Sequence, residues 1–229
     1  MKSYTQSVIN VYRDHANSSY AGQQKKYMKN KFEFFGLPSP YRRELNRKFL
    51  TKTNLPEKQE AFLIIKELWQ QPQRELQYFA LDLAEKYVKQ PEEKDIAFYT
   101  YLITHKSWWD TVDFIAATLV GSYFRMFSFE RESIINKWLN SGNIWLQRTS
   151  LIFQLKYKTD TDALLLYKVI RQLLGTKEFF INKAIGWSLR EYSKTDSKWV
   201  IQTVEKLNDL SYLSRKEALK VIEKQKKKI

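Results

Sequence analysis

Four side chains in the sequence have the types needed to stabilise a cationic substrate. Asp113 is a carboxylate, and Trp109 stands four residues before it, so the two share one face of a helix. Arg148 and Trp187 follow farther along the chain. A carboxylate stabilises positive charge in a transition state and can position water, while an indole face attracts a cation. Residue type alone leaves alternatives open: the tryptophans as core residues, Asp113 as a surface or cap carboxylate, and Arg148 as its partner in a structural ion pair.

A repeat of about 34 residues predicts which elements position these side chains. Five helical stretches have a small residue at the centre, with mostly apolar residues four positions before it and one after it. The five central residues are Ala80, Ala116, Ser150, Ala184 and Ala218, at spacings of 36, 34, 34 and 34. A further apolar-periodic stretch precedes each of them, at about 57–70, 92–103, 129–139, 161–174 and 196–208. This pattern predicts an all-α, HEAT-like helical-repeat solenoid, a superhelix of antiparallel helix pairs.

The repeat places the chemical residues on one type of helix. Counted from the central small residue, Asp113 is at −3, Arg148 at −2 and Trp187 at +3 in successive repeats. All three therefore belong to the second helix of a pair, which generally lines the concave side of a solenoid. Neighbouring helices pack ~8–10 Å apart, so only strong curvature and inward-reaching side chains bring Asp113 and Trp187 to one ligand.

Local signals predict the ends of several elements. Residues 5–50 are expected to form two or three helices broken at 36–40, with Ser39 as a cap and Pro40 opening the next helix. Capping boxes are expected at Ser107 with Asp110 and at Ser214 with Glu217. We expect three tryptophans to be core residues: Trp69, Trp138 and Trp199. No linker is visible, and the sequence predicts a single domain over residues 1–229.

The charge distribution favours a polyanionic partner. Lys and Arg number 39 against 25 Asp and Glu, a net charge of +14. Residues 1–50 hold 10 basic and 3 acidic side chains, and residues 211–229 hold 7 and 2, so two basic ends flank a nearly neutral middle. Such a distribution suits a protein that binds nucleic acid on both sides of a central site.

Composition excludes several classes of protein. Six Gly and five Pro are too few for the turns of a β-sandwich or barrel. The absence of Cys removes disulfides, thiolate-bound zinc and thiol catalysis, and two His argue against a zinc hydrolase. We therefore expect no metal and no organic cofactor. The chain shows no apolar signal core and no run near the ~20 residues of a membrane span, so we expect a soluble intracellular protein without a membrane partner.

Four segments together resemble one known family. They are residues 27–30 (YMKN), 106–113 (KSWWDTVD), 143–148 (NIWLQR) and 177–187 (KEFFINKAIGW). These segments look like the AlkD family of alkylpurine DNA glycosylases, and the similarity spans about residues 20–220 in matching order and spacing. Members of that family are HEAT-like solenoids that hydrolyse the N-glycosidic bond of alkylated purines. The resemblance implies a monofunctional glycosylase of base excision repair.

The resemblance also implies roles for the four candidate catalytic residues. Asp113 would stabilise the oxocarbenium-like sugar and position water, and Trp109 and Trp187 would hold the deoxyribose and the lesion. Arg148 would tether phosphate or orient Asp113. No Lys stands out as a Schiff-base nucleophile and no general acid is evident, so the expected substrates are cationic N3- or N7-alkylated purines such as 3-methyladenine and 7-methylguanine.

A second set of residues is expected to contact the DNA backbone. Tyr27 and Lys29 lie where the family uses N-terminal helices against DNA. Five cations near or beyond the ends of the second helices complete the set: Lys156, Lys158, Lys183, Arg190 and Lys194. The expected partner is double-stranded DNA with alkylated bases, bound by a monomer in the cytoplasm, associated with the nucleoid in a bacterium. The alternative is a non-catalytic HEAT-like module that binds DNA structures or a protein partner.

Overall fold

The computed structural model describes residues 4–226 as α-helices joined by short connections. Residues 1–3 and 227–229 of the predicted single domain lie outside this range, and the single-domain assignment stays a prediction. The chain divides into two compact units, with the boundary between Gln90 and Pro91. No β-strand occurs within residues 4–226, and one isolated bridge joins Glu33 to Gln73. None of the described helices combines the length and the apolar character needed to span a membrane.

Each unit is built from consecutive helices. The first unit contains α1 (Tyr4–Asp14), α2 (Ser18–Tyr27), α3 (Ser39–Arg47), α4 (Lys58–Gln70) and α5 (Arg74–Glu85). The second begins with α6 (Asp95–Thr104), α7 (Trp109–Phe114), a π-helical segment (Ile115–Val120) and α8 (Gly121–Met126). It continues with α9 (Arg131–Leu139), α10 (Ile144–Ile152), α11 (Ala163–Gln172), α12 (Phe179–Tyr192), α13 (Ser197–Lys206) and α14 (Tyr212–Lys226).

The predicted repeat is confirmed in the helix order and in the core. The five central small residues are each at most 2% exposed, and they lie on α5, the π-helical segment, α10, α12 and α14. The five preceding apolar stretches are α4, α6, α9, α11 and α13. Small side chains at the centre of each second helix let neighbouring backbones approach closely, which is why the position recurs. The all-α helical-repeat fold expected from the sequence is therefore present.

The second helix of the second repeat departs from regular α-helix. From Trp109 to Met126 the chain runs through α7, the π-helical segment and α8 without leaving helical geometry. At the end of the π-helical segment, a Cβ on Gly121 would stand 2.7 Å from the Phe153 carbonyl oxygen. The Tyr157 hydroxyl donates to the Gly121 carbonyl at 2.6 Å. Only glycine allows this approach of α8 to the end of α10.

The predicted break before α3 is held by a buried carboxylate. Gly36 has φ +88°, and a Cβ there would stand 1.9 Å from the Asn17 carbonyl oxygen. Glu75, fully buried on α5, accepts hydrogen bonds from the backbone N–H groups of Phe35, Gly36 and Leu37. Burial raises the pKa of Glu75, and those hydrogen bonds act to lower it.

Several predictions of helix ends are wrong. Pro38, not Ser39, is the cap residue of α3, and it makes no side-chain capping bond, although Pro40 does lie in the first turn. The Ser107 hydroxyl donates backward to the Ile103 carbonyl of α6 at 2.6 Å. Ser214 lies inside α14, where its N–H donates to the Ser211 hydroxyl at 3.1 Å.

The predicted core tryptophans are largely confirmed. Trp69 and Trp138 are buried, at 0% and 3% exposure. Trp199 is only half-buried and packs edge-on against Tyr192, with 5.3 Å between ring centroids. It stands on α13, the first helix of the last described pair, where less of the fold covers it.

Candidate active site

Asp113 and Arg148 form a bidentate ion pair between neighbouring repeats. Asp113 lies on α7 and Arg148 on α10. The Arg148 Nε atom donates to Asp113 Oδ1 at 2.7 Å, and Nη2 donates to Oδ2 at 2.8 Å. The remaining amino group, Nη1, donates to the Phe180 carbonyl on α12 at 2.6 Å. One guanidinium thus ties three consecutive repeats together and fixes the orientation of the carboxylate.

The ion pair is largely withdrawn from water. The side chain of Arg148 is 4% exposed and that of Asp113 is 17% exposed. Burial raises the pKa of Asp113, the hydrogen bonds and charge of Arg148 lower it, and the nearby Asp110 charge raises it, with a net rise. Both oxygens of Asp113 accept hydrogen bonds from a guanidinium that cannot deprotonate, and this geometry belongs to the ionised carboxylate.

A cavity of about 510 Å³ opens beside the ion pair. It brings together the four residues expected to act in catalysis, although they stand on three different helices. Its wall is formed by Trp109, Asp113, Arg148, Phe179, Phe180, Lys183, Trp187, Arg190, Glu217 and Lys220. Trp109 and Trp187 are both half-buried. The two helix spacings expected to separate Asp113 from Trp187 are therefore bridged by side chains that reach one common space.

Aromatic packing supports the cavity from behind. Trp108, Trp145 and Phe180 form a cluster in which the ring centroids are 5.0 to 5.7 Å apart. Phe179 packs edge-on against Phe180 and is itself 57% exposed. These aromatic rings lower the local dielectric around Asp113, which strengthens its interaction with a positive charge in the cavity.

The five basic residues of the second unit that are expected to contact DNA lie at three different locations. Lys183 and Arg190 line the cavity, and both pair with Glu217. Lys156 lies outside it and donates to the Thr118 hydroxyl at 2.8 Å. The remaining two, Lys158 and Lys194, line a different cavity of about 250 Å³, and Lys194, just beyond the end of α12, also pairs with Glu191 of that helix.

Tyr27 and Lys29 belong to the first unit. Tyr27 is the last residue of α2 and is 69% exposed. Lys29 is exposed and adopts φ +57° in the turn that follows. An exposed aromatic side chain beside exposed lysines is suited to contact with nucleic acid.

Four of the cavity residues were not among the candidates from the sequence: Phe179, Phe180, Glu217 and Lys220. A usable signal existed for Glu217. Lys183 and Glu217 occupy the same position, −1, in consecutive repeats, and stacking of neighbouring repeats brings equivalent positions of adjacent second helices close together. Phe179 and Phe180 belong to the segment 177–187 that resembles the family. Nothing in the sequence distinguishes a phenylalanine that lines the cavity from one that packs in the core.

No metal-binding cluster is found in the described part of the chain. Between residues 4 and 226, no three His, Asp or Glu side chains converge as ligands. The two carboxylates of the cavity, Asp113 and Glu217, are both engaged by basic side chains.

Comparison with known proteins gives a consistent result. The family model described as DNA alkylation repair enzyme matches residues 8–222. A solved structure described as a predicted DNA alkylation repair enzyme from Enterococcus faecalis is 36% identical, with a TM-score of 0.82. That similarity covers 90% of this chain and 95% of the other. No curated protein matches the chain.

Proposed function

The chain belongs to the family of DNA alkylation repair enzymes, and from that premise we propose that it is a DNA glycosylase. The proposed reaction is hydrolysis of the N-glycosidic bond of cationic N3- or N7-alkylated purines in duplex DNA. The enzyme is monofunctional and forms no covalent intermediate with the sugar. The observation that supports this proposal best is the Asp113 carboxylate, fixed by Arg148 at the wall of a cavity that two indoles share.

The electrostatics of the cavity suit this reaction. As the glycosidic bond lengthens, positive charge moves from the base to the sugar, and an ionised carboxylate in a low-dielectric wall stabilises it. The bidentate contact with Arg148 leaves Asp113 oriented before the substrate arrives, so little reorganisation is needed during the reaction. Asp113 then also positions the water that completes hydrolysis.

The two indoles give the cavity its preference for cations. Trp109 and Trp187 stand on α7 and α12 and line the same cavity, where their indoles would hold a sugar and base between them. A cation over an indole gains ~0.5–2 kcal/mol, and a neutral ring does not. Neither carboxylate of the cavity is an evident acid for protonating a neutral leaving base, because Asp113 and Glu217 are both engaged by basic side chains.

Positive charge around the cavity serves DNA binding in this proposal. Lys183, Arg190 and Lys220 line it, and the chain as a whole has a net charge of +14. Lys156, Lys158, Lys194, Tyr27 and Lys29 would add contacts to the DNA backbone. Phosphate contacts of this kind supply affinity without sequence specificity. The proposed partner is therefore alkylated duplex DNA, bound by one copy of the chain.

Excision measured on matched duplexes tests the proposal. Each duplex carries one lesion in the same sequence: 7-methylguanine, 3-methyladenine, uracil or hypoxanthine. We expect single-turnover release of the two alkylated purines and none of uracil or hypoxanthine, with Asp113→Asn as the inactive control. Comparable rates on uracil and 7-methylguanine would refute the mechanism. Binding without release of any base would instead support a non-catalytic DNA-binding module.

A further inference from the structure

Glu217 is the one carboxylate in the cavity wall besides Asp113. It lies on α14 and its side chain is 11% exposed. Its Oε2 atom accepts a hydrogen bond from Lys183 Nζ at 2.7 Å, and Oε1 pairs with the Arg190 guanidinium. A single buried carboxylate thus engages two cations that both stand on α12.

The two cations flank one of the proposed catalytic indoles. Lys183 precedes Trp187 by four residues and Arg190 follows it by three, so all three share one face of α12. Lys183 is 41% exposed and Arg190 is 24% exposed, and both line the cavity. Glu217 therefore determines where positive charge stands on both sides of Trp187.

The backbone is built to place Glu217 there. A Cβ on Gly186 would lie 2.6 Å from Glu217 Cβ and 2.8 Å from the Ser214 carbonyl oxygen. Only glycine lets α12 and α14 approach this closely. The close approach seats the first carbons of the Glu217 side chain against the α12 backbone, so the carboxylate reaches both Lys183 and Arg190.

The charge balance of the cavity depends on this carboxylate. Four cations and two carboxylates line the wall. Asp113 is engaged by Arg148, so Glu217 alone offsets Lys183 and Arg190. Uncompensated, their charge would repel a cationic base in the same space. One extra unit charge ~10 Å away in a medium of effective dielectric ~20 is enough to weaken binding of a cation about tenfold.

We propose that Glu217 is a positioning residue that holds Lys183 and Arg190 on either side of Trp187 and offsets their charge, so that the cavity accepts a cationic purine. This inference rests on the proposed glycosylase function. An ammonium has three donors and a guanidinium five, so both cations keep donors for phosphate while they pair with Glu217. Glu217 thereby makes the protein bind DNA with a positively charged lesion in preference to undamaged DNA.

The test is the affinity of Glu217→Gln for two duplexes. One is undamaged, and the other holds 7-methylguanine on a 2′-fluorinated sugar, which resists hydrolysis. We expect the variant to bind undamaged DNA more tightly, because two cations are released to phosphate, with a salt slope more negative by about 1 to 2. The ratio of the two affinities should fall about tenfold. Glu132→Gln removes the same charge from an exposed pair with Lys168 outside the cavity, and both affinities should stay within about twofold of wild type.

Damage to the fold would act differently, because it would weaken binding to both duplexes in parallel. In that case the comparison of Lys183→Gln with Lys220→Gln decides. An unchanged affinity ratio in a folded variant overturns the inference. Release of 7-methylguanine from an unfluorinated duplex by the wild-type protein is measured beside it. If release occurs and the ratio is unchanged, only the inference fails. If the wild type releases no base, the proposed function fails and the inference fails with it.

A second comparison leaves Glu217 in place, should Glu217→Gln not fold. The positive charge of Lys183 is already offset by Glu217. Lys220 lines the same cavity wall and lies on α14, one turn after Glu217. Lys183→Gln should therefore weaken binding to undamaged duplex less than Lys220→Gln does. The reverse order would contradict the proposal.

Discussion

Replacing Arg148 by Met should move the pH dependence of excision. The substitution removes both hydrogen bonds to Asp113 and the donor to the Phe180 carbonyl, while a flexible apolar side chain fills much of the space. Asp113 stays in place without its counter-charge. Arg148 lowers the pKa of Asp113 in the intact protein, so its loss must raise that pKa further.

The magnitude follows from the burial of the pair. Arg148 and Asp113 are 4% and 17% exposed, and removing one partner of a buried ion pair costs ~3–5 kcal/mol. At ~1.4 kcal/mol per tenfold change in an equilibrium constant, the lower end of that range corresponds to release about a hundredfold slower than wild type on the acid limb. The lower end applies because Asp113 keeps some contact with water.

The direction of the pH effect depends on which protonation state of Asp113 is active. The proposed mechanism needs ionised Asp113, so activity is present above its pKa and is lost as pH falls through it. In the wild type the acid limb should lie above the ~3.9 of an ordinary Asp, since burial raises the pKa of Asp113. In Arg148→Met the limb should lie at higher pH still, because the counter-charge that lowers the pKa of Asp113 is gone.

The assay is single-turnover release of 7-methylguanine from about pH 4.5 to about pH 8.5, with release in the absence of enzyme subtracted. Arg125→Met serves as the matched control, because Arg125 pairs with Asp160 at the surface, where the two side chains are 44% and 63% exposed. Its profile should superimpose on the wild type. An acid limb of Arg148→Met within about 0.3 units of wild type would refute the role assigned to the pair.

Four further outcomes are expected. Asp113→Asn keeps the size of the side chain but removes the charge, and should slow single-turnover release ~10²–10³-fold while DNA affinity is retained; release within about threefold of wild type would contradict its role. Affinity for undamaged duplex should fall with salt at a log–log slope steeper than about −3, because several phosphates contribute about −0.9 each, and a flat plot would argue for a protein partner. Gly186→Ala should lower the free energy of unfolding by ~1–3 kcal/mol, because its Cβ overpacks against α14. Gly22→Ala, on α2 with open space around it, should raise that free energy by ~0.5–1 kcal/mol, and equal melting temperatures for the two variants would contradict the packing argument.

The repeated part of the fold could be predicted from the sequence. Ala80, Ala116, Ser150, Ala184 and Ala218 are buried where the repeat placed them, because a small residue at a fixed period is what packed helix pairs require. The same counting put Asp113, Arg148 and Trp187 on second helices, and they line one cavity. A pattern repeated five times averages out the local noise that limits any single helix assignment.

The unpredicted parts depend on contacts between distant residues. Glu217 fits a capping box with Ser214 by spacing alone, but α14 begins earlier, and the Ser211 hydroxyl accepts the Ser214 N–H as an N-cap does. Glu217 is therefore free to reach Lys183 on α12. The local sequence is compatible with more than one first residue for a helix, and packing between helices determines which one is used.

The π-helical segment likewise had no distinct signal. Its residues, Ile115–Val120, are as compatible with α-helix as with π-helix. The close approach of Gly121 to the Phe153 carbonyl and the position of Asp113 at the cavity constrain opposite ends of this segment. Both constraints come from the packed repeats and not from the local sequence.

The π-helical segment makes the length of the chain at this point as important as its composition. It bonds each residue one position farther along than an α-helix does, so it holds an additional residue between Asp113 and Gly121. Each residue of an α-helix turns the axis by about 100°. Deleting one residue therefore lets the segment close into α-helix with both ends near their present orientation, whereas inserting one rotates either Asp113 away from the cavity or Gly121 away from Phe153.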